Sequence, residues 1–209
     1  MGGNKVVLVE GKDDEHVIKH LCGNRAIPVI LKIEGHQSVE DLLASIPVRL
    51  KASYDGDIVG IVLDADVSLV NRWAAVRNHL VALKYPNVPE LAVQTGMIVD
   101  PPEGVLLPRV GVWLMPDNLL NGMLEDFLAF LVPRDSTLFA RVKRTIDEIP
   151  ADEQLFSRAV QSKAVIHTWL AWQKDPGLPF GTAITARFLD PMKPEADTFL
   201  AWLRTLFCL

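Results

Sequence analysis

Three acidic residues stand directly behind apolar runs. Glu10 follows Lys5–Val9, and Asp64 and Asp66 follow Asp57-Ile-Val-Gly-Ile-Val-Leu63. Clustered carboxylates are the ligands of hard divalent cations, which keep waters and phosphate oxygens in their remaining positions. If the two runs are neighbouring strands, Glu10, Asp64 and Asp66 meet beyond the carboxyl edge of one sheet, where open α/β folds build their sites. Three anions gathered there repel one another and shift each other's pKa, and a bound Mg²⁺ or Mn²⁺ relieves that repulsion. A lone Glu-Gly behind a strand is ordinary turn chemistry, and loops are rich in Asp. The joint occurrence, in this order and at this spacing, favours a site.

The elements needed to position these groups are legible around them. Lys5–Val9 is continuously apolar and β-branched, the pattern of a buried parallel strand. Asp13–Leu21 has helical spacing, with Val17, Ile18 and Leu21 on one face and acidic residues at the end the helix dipole favours. Pro28–Ile33 reads as a second strand. Ser38 with Asp41 opens a helix running to Ile46, and Pro47–Leu50 adds a turn. Asp57–Leu63 is the third strand, and Ser68 opens a helix to Leu83 that Pro86 stops. This alternation predicts a parallel sheet with helices on its faces. Residues 86–109 read as an irregular insertion, with a hairpin through Leu91–Val93 and Val105–Leu107. Val110–Met115 is the next buried strand. Helices are then expected over Leu119–Leu131, Ser136–Glu148, Gln154–Trp172 and Glu195–Phe207. The expected organisation is an α/β core over 1–132 and a helical C-terminal extension over 133–209 packed on it.

Val7-Leu-Val-Glu10-Gly11-Lys-Asp-Asp14, followed by Ile61-Val-Leu-Asp64-Ala-Asp66, resembles the TOPRIM domain. That is the topoisomerase–primase module of bacterial primases, type IA and II topoisomerases, small RNA-maturing nucleases and overcoming-lysogenisation-defect nucleases. Further stretches, Gly111–Asn118, Gly122–Asp126, Leu170–Gln173 and Asp175–Gly177, resemble a bacterial TOPRIM-like family of unassigned function. The resemblance implies a Rossmannoid parallel sheet flanked by helices. It implies Glu10 as general acid/base or metal ligand, Asp64 and Asp66 as the metal-binding pair, and Asp14 as a further ligand. Glu125 resembles the extra glutamate of the lysogenisation-defect nucleases, which would serve a second metal. Gly11 would let the backbone approach a phosphate, and Lys12, beside the site, could contact one as a point charge. The implied activity is Mg²⁺- or Mn²⁺-dependent phosphoryl transfer on DNA or RNA, with nuclease-like phosphodiester hydrolysis. Tyr54 and Tyr85 are the only tyrosines, and neither has a nucleophile's surroundings, which argues against strand passage.

Bulk properties narrow the field. Hydrophobic residues make up 49% of the 209, so a packed core is expected rather than disorder. The formal charge of -5 is not the footprint of a protein that grips duplex DNA by counterion release. Cys22 and Cys208 lie in no motif, which fits a reducing, cytoplasmic setting. No signal-peptide layout and no membrane-spanning run is seen. His16 and His20 have zinc spacing without a visible third ligand. Arg72 and Arg77, behind the Asp-x-Asp strand, could meet phosphate, but a solvated helix face is the expected reading. Asp117 and Asn118 either complete the site or cap the helix beginning at Leu119. The apolar Phe199–Leu209 segment docks on the body or pairs two chains, leaving monomer and homodimer open. Two other classes compete with a nuclease. Asp64-x-Asp66-x-Ser68 also looks like the first motif of haloacid-dehalogenase-type phosphatases, although there it ends the first strand. A non-catalytic interaction module of a defence or repair assembly, with a protein partner, suits the acidic charge.

Overall fold

A computed structural model describes residues 3–28, 32–54 and 56–209. Among the described residues, five strands form one sheet: β1 (Lys5–Val9), β2 (Lys32–Gly35), β3 (Ile58–Asp64), β4 (Met97–Val99) and β5 (Arg109–Met115), in the order β2-β1-β3-β5-β4. All pairings are parallel except β4 with β5. The helices are α1 (Lys12–Asn24), α2 (Val39–Lys51), α3 (Leu69–Ala82), α4 (Leu124–Phe130), α5 (Thr137–Asp147), α6 (Gln161–Ala171), α7 (Phe180–Thr185) and α8 (Pro194–Phe207). This is a Rossmann-like mixed α/β arrangement with helices on both faces of the sheet.

Crossover handedness explains the layering. The chain steps outward from β1 to β2 through α1, then back to β3 through α2. Right-handed connections in opposite directions place their helices on opposite faces. Val6, Leu8, Val59, Ile61, Leu63, Val110, Val112 and Leu114 therefore point to the side covered by α2 and α3. Val7, Val9, Val62, Trp113 and Met115, one residue out of phase, point to the side covered by α1 and by the helices from α4 onward. Residues 133–209 thus share one core with the sheet. The closest approach is made by α8: Gly60 and Gly111 are direct partners across β3 and β5, and a Cβ at Gly111 would lie 2.5 Å from Leu206. The two glycines form a notch that takes this side chain.

Several expected boundaries shift. The expected strand Pro28–Ile33 falls partly outside the described residues, and the described strand begins at Lys32. The expected hairpin through Leu91–Val93 and Val105–Leu107 is absent: Leu91 and Val105 are exposed, and Met97–Val99 pairs instead with β5. Trp202 fixes this strand from the core by donating its indole N–H to Met97 O at 3.2 Å. The helix expected from Leu119 begins only at Leu124. The Asp117 carboxylate takes the Leu119 and Leu120 N–H groups at 3.0 and 2.9 Å, and Gly122 pairs with Asp66, so the backbone there has non-helical partners. The helix expected from Gln154 starts at Gln161 behind a short 3₁₀ turn, Arg158–Val160. Among the described residues, no helix is long and apolar enough to cross a membrane.

Candidate functional site

Strand order reverses between β1 and β3, because the chain leaves β1 toward β2 on one side and leaves β3 toward β5 on the other. Such a switch point opens a crevice beyond the carboxyl ends of the two strands. Glu10 follows β1 and Asp64 ends β3, so both sit at its mouth. Their contact is direct: Glu10 Oε1 accepts the Asp64 N–H at 2.7 Å. Asp64 Oδ1 in turn accepts the N–H of Leu124, the first residue of α4, at 2.8 Å. Asp14, in the first turn of α1, accepts the Gly11 N–H at 3.1 Å. Glu125, next along α4, faces Lys163 Nζ of α6 at 3.6 Å.

Glu10, Asp14, Asp64 and Glu125 line one cavity of about 280 Å³ together with Lys12 and Lys163. Asp14 and Glu125 are buried, and all four carboxyl groups are pushed toward protonation. Burial is the largest cause in every case. Asp14 rises to about 7, with the Glu10 and Glu125 charges adding to burial. Asp64 rises well above the usual carboxylate range through burial first, with repulsion from Glu10, Asp14, Glu125 and Asp66 adding to it. The rise at Glu10 is moderated by the Asp64 N–H and by Arg72, and that at Glu125 by Lys163. Acidic residues also outnumber the two lysines in the cavity lining.

The sequence-derived set is not gathered as a whole. Asp66 stands outside this cavity. Its carboxylate is paired with the Arg72 guanidinium in an adjoining hollow lined by Val67, Ser68 and Asn71. Gly11 lines the cavity, but its N–H is taken by Asp14. Lys12, the first residue of α1, also lines it. Asp117 and Asn118 build the turn after β5: Asn118 Oδ1 accepts the Leu114 N–H at 2.7 Å, and neither side chain lines the cavity. His20 spends Nδ1 on Thr185 Oγ1 at 2.7 Å. Sequence reasoning missed Lys163, which no motif marks, and misplaced Arg72, whose side chain is only 14% exposed.

The donor set, all carboxylate oxygen, suits Mg²⁺ or Mn²⁺ rather than a soft metal. Among the described residues, no three His, Cys, Asp or Glu side chains are close enough to cage an ion as they stand. A hydrated ion held by one or two carboxylates needs no such cage. Glu10 and Asp64, in contact through the Asp64 N–H, are two carboxylates that could hold one.

A larger cavity, about 610 Å³, lies at the opposite end of the sheet beside Lys5, Lys32, Arg49, Tyr54 and Asp57. Its charged groups already have partners: Lys32 and Arg49 pair with Glu34, Lys5 donates to Phe207 O, and Asp57 accepts two backbone N–H groups. The carboxylate cavity, with its unbalanced charge, is the stronger candidate.

A family model described as "Protein of unknown function (DUF3226)" matches residues 4–208. The chain belongs to that family. Comparison with curated proteins and with solved structures returned no match. The DUF3226 match runs through both the sheet and the helices after Val132, so the family unit includes β1 and β3 as well as α6, which brings Lys163 to the cavity.

Proposed function

We propose that the carboxylate cavity binds Mg²⁺ or Mn²⁺, and that the chain carries out phosphoryl transfer on nucleic acid, in the form of nuclease-like phosphodiester hydrolysis. One observation carries this reading. Four carboxyl groups, from the end of β1, from α1, from β3 and from α4, converge on one cavity at the switch point, each driven toward protonation by burial, and Asp14 and Asp64 also by the others. A fold that tolerates such a cost gains most from a cation that removes it. The TOPRIM resemblance of Glu10, Asp64 and Asp66 supplies the reaction class.

The metal, when bound, supplies a Lewis acid for a phosphoryl oxygen. The chain's own groups then have distinct tasks. Asp64 is oriented by the Leu124 N–H, which leaves its second oxygen for the ion. Glu10, anchored on the Asp64 N–H and raised toward neutrality, can hold or move a proton at its carboxylate. Lys163 and Lys12 line the cavity and can attract a phosphate as point charges. The location in which this occurs is proposed to be the cytoplasm.

A second reading, a non-catalytic interaction module, draws on the Asp66–Arg72 pair, which takes one expected ligand out of play. One experiment separates the two. Single- and double-stranded DNA and RNA are incubated with the protein in Mg²⁺ or Mn²⁺, beside Asp64→Asn and Asp66→Ala. Metal-dependent cleavage lost in Asp64→Asn supports the enzyme. Mn²⁺-independent thermal stability with no cleavage of any substrate supports the module.

A further inference from the structure

Asp66 is held by two independent devices, and they act on different parts of the residue. Its backbone is pinned to Gly122: the Asp66 N–H donates to Gly122 O at 2.7 Å and the Gly122 N–H returns to Asp66 O at 2.8 Å. Its φ is 51°, a left-handed conformation that Asp tolerates better than most residues. The side chain alone is free to choose a partner, and it has chosen Arg72. Arg72 comes from the first turn and a half of α3, whose start is fixed by Ser68 capping Asn71. The guanidinium is mostly buried, acts on Glu10 as well as Asp66, and keeps a buried Nε without a hydrogen-bond partner among the described residues. A guanidinium paired with one carboxylate, with a donor to spare and its charge felt at a second carboxylate, is matched to a planar or tetrahedral oxyanion.

We infer that Arg72 is a latch on the carboxylate cavity: it holds Asp66 away from the Glu10–Asp64 pair and releases it when a phosphate oxyanion takes over the guanidinium. The inference rests on the reading of that cavity as a cation site and adds a control to it. With the latch closed, Glu10 and Asp64 offer the ion two carboxylates. With it open, a rotation of the Asp66 side chain, on a backbone that does not move, offers a third. The full ligand set then assembles only when a phosphate is present. This accounts for three acids that adjoin one another in the fold yet do not form a three-ligand cage as they stand.

The test is isothermal titration of MnCl₂, with no phosphate, into wild type, Arg72→Gln, Asp66→Asn and the double variant. Opening the latch is expected to tighten Mn²⁺ binding by about 10-fold in Arg72→Gln, a size typical of changing a ligand's supporting partner. Removing a positive charge would by itself tighten binding in either background, so the decisive comparison is the gain with and without Asp66. In the Asp66→Asn background the gain should shrink to what the lost charge alone gives. An equal gain in both backgrounds overturns the latch while leaving the cation site standing. Mn²⁺ binding to none of the four overturns both. Arg72→Met, which keeps the buried stem, replaces Arg72→Gln if that variant does not fold, and the same comparison applies.

Discussion

Replacing Asp14 with Asn should remove one large share of the pH dependence of the protein's stability. Asp14 is buried beside Glu10 and Glu125, and its carboxyl is raised from an ordinary 3.8 to about 7. Between those values the folded chain keeps a proton that the unfolded chain has released. Stability therefore falls as pH rises through this window, with no penalty below it and the full penalty above it. At ~1.4 kcal/mol per pH unit, the ionised Asp14 costs the fold about 4 kcal/mol on the alkaline side. Asn cannot ionise, and its Oδ1 can still accept the Gly11 N–H that Asp14 accepts at 3.1 Å. The expected result is a stability difference, variant minus wild type, that grows by about 4 kcal/mol from acid to alkaline buffer. Urea denaturation across that range in EDTA measures it, with each midpoint converted through its own slope. The gain at high pH should shrink when Mn²⁺ replaces EDTA, because a bound cation removes the same repulsion. A difference that stays flat from acid to alkaline pH would refute the reasoning, since it would mean that the Asp14 carboxyl feels no unusual environment.

Three further outcomes are expected. Gly111→Ala places a Cβ against Leu206, and overpacking of this kind should cost about 1–3 kcal/mol in urea denaturation; adding Leu206→Ala should then cost less than it does in wild type, and additive losses would show that the notch is not tight. Ser68→Ala removes the cap that accepts the Asn71 N–H at 3.2 Å and should lower stability by about 1 kcal/mol, read as a fall in Tm. Lys163→Met removes the cation 3.6 Å from Glu125, so the Glu125 carboxyl should titrate at still higher pH by carbon-13 NMR; an unmoved titration would place Lys163 outside the site's electrostatics.

What could be read from the chain follows from how burial writes itself into sequence. β1, β3 and β5 are buried on both faces, so they appear as unbroken apolar runs, and the acids behind two of them stand out. The meeting of Glu10 and Asp64 needed only the inference that β1 and β3 are neighbours. β4 left no such mark: three residues, with Gly96 before them and a proline pair after, are too few to show a period. Leu91 and Val105 advertised a hairpin but lie on the surface, where a lone apolar residue carries no topological information. The start of α4 was obscured because Asp117 and Gly122 divert backbone groups through contacts made in three dimensions. Lys163 could not be assigned because α6 reaches the cavity from far along the chain. Arg72 stands one turn before Val76, at the edge of the buried face of α3, and its pairing with Asp66 is a contact that the order of residues does not announce.

The glycine notch under α8 has a consequence for biosynthesis. The sheet face bearing Val62, Trp113 and Met115 gains part of its cover from Phe199, Trp202 and Leu206, which the ribosome adds long after β5. During that interval a nascent chain presents a greasy, strand-rich surface with part of its shield missing, a species prone to stick to its neighbours. Holdase chaperones should therefore engage this polypeptide most strongly in the period between the emergence of β5 and that of the final helix. Shortening the chain by that helix should drive it into inclusion bodies rather than leave a smaller working domain.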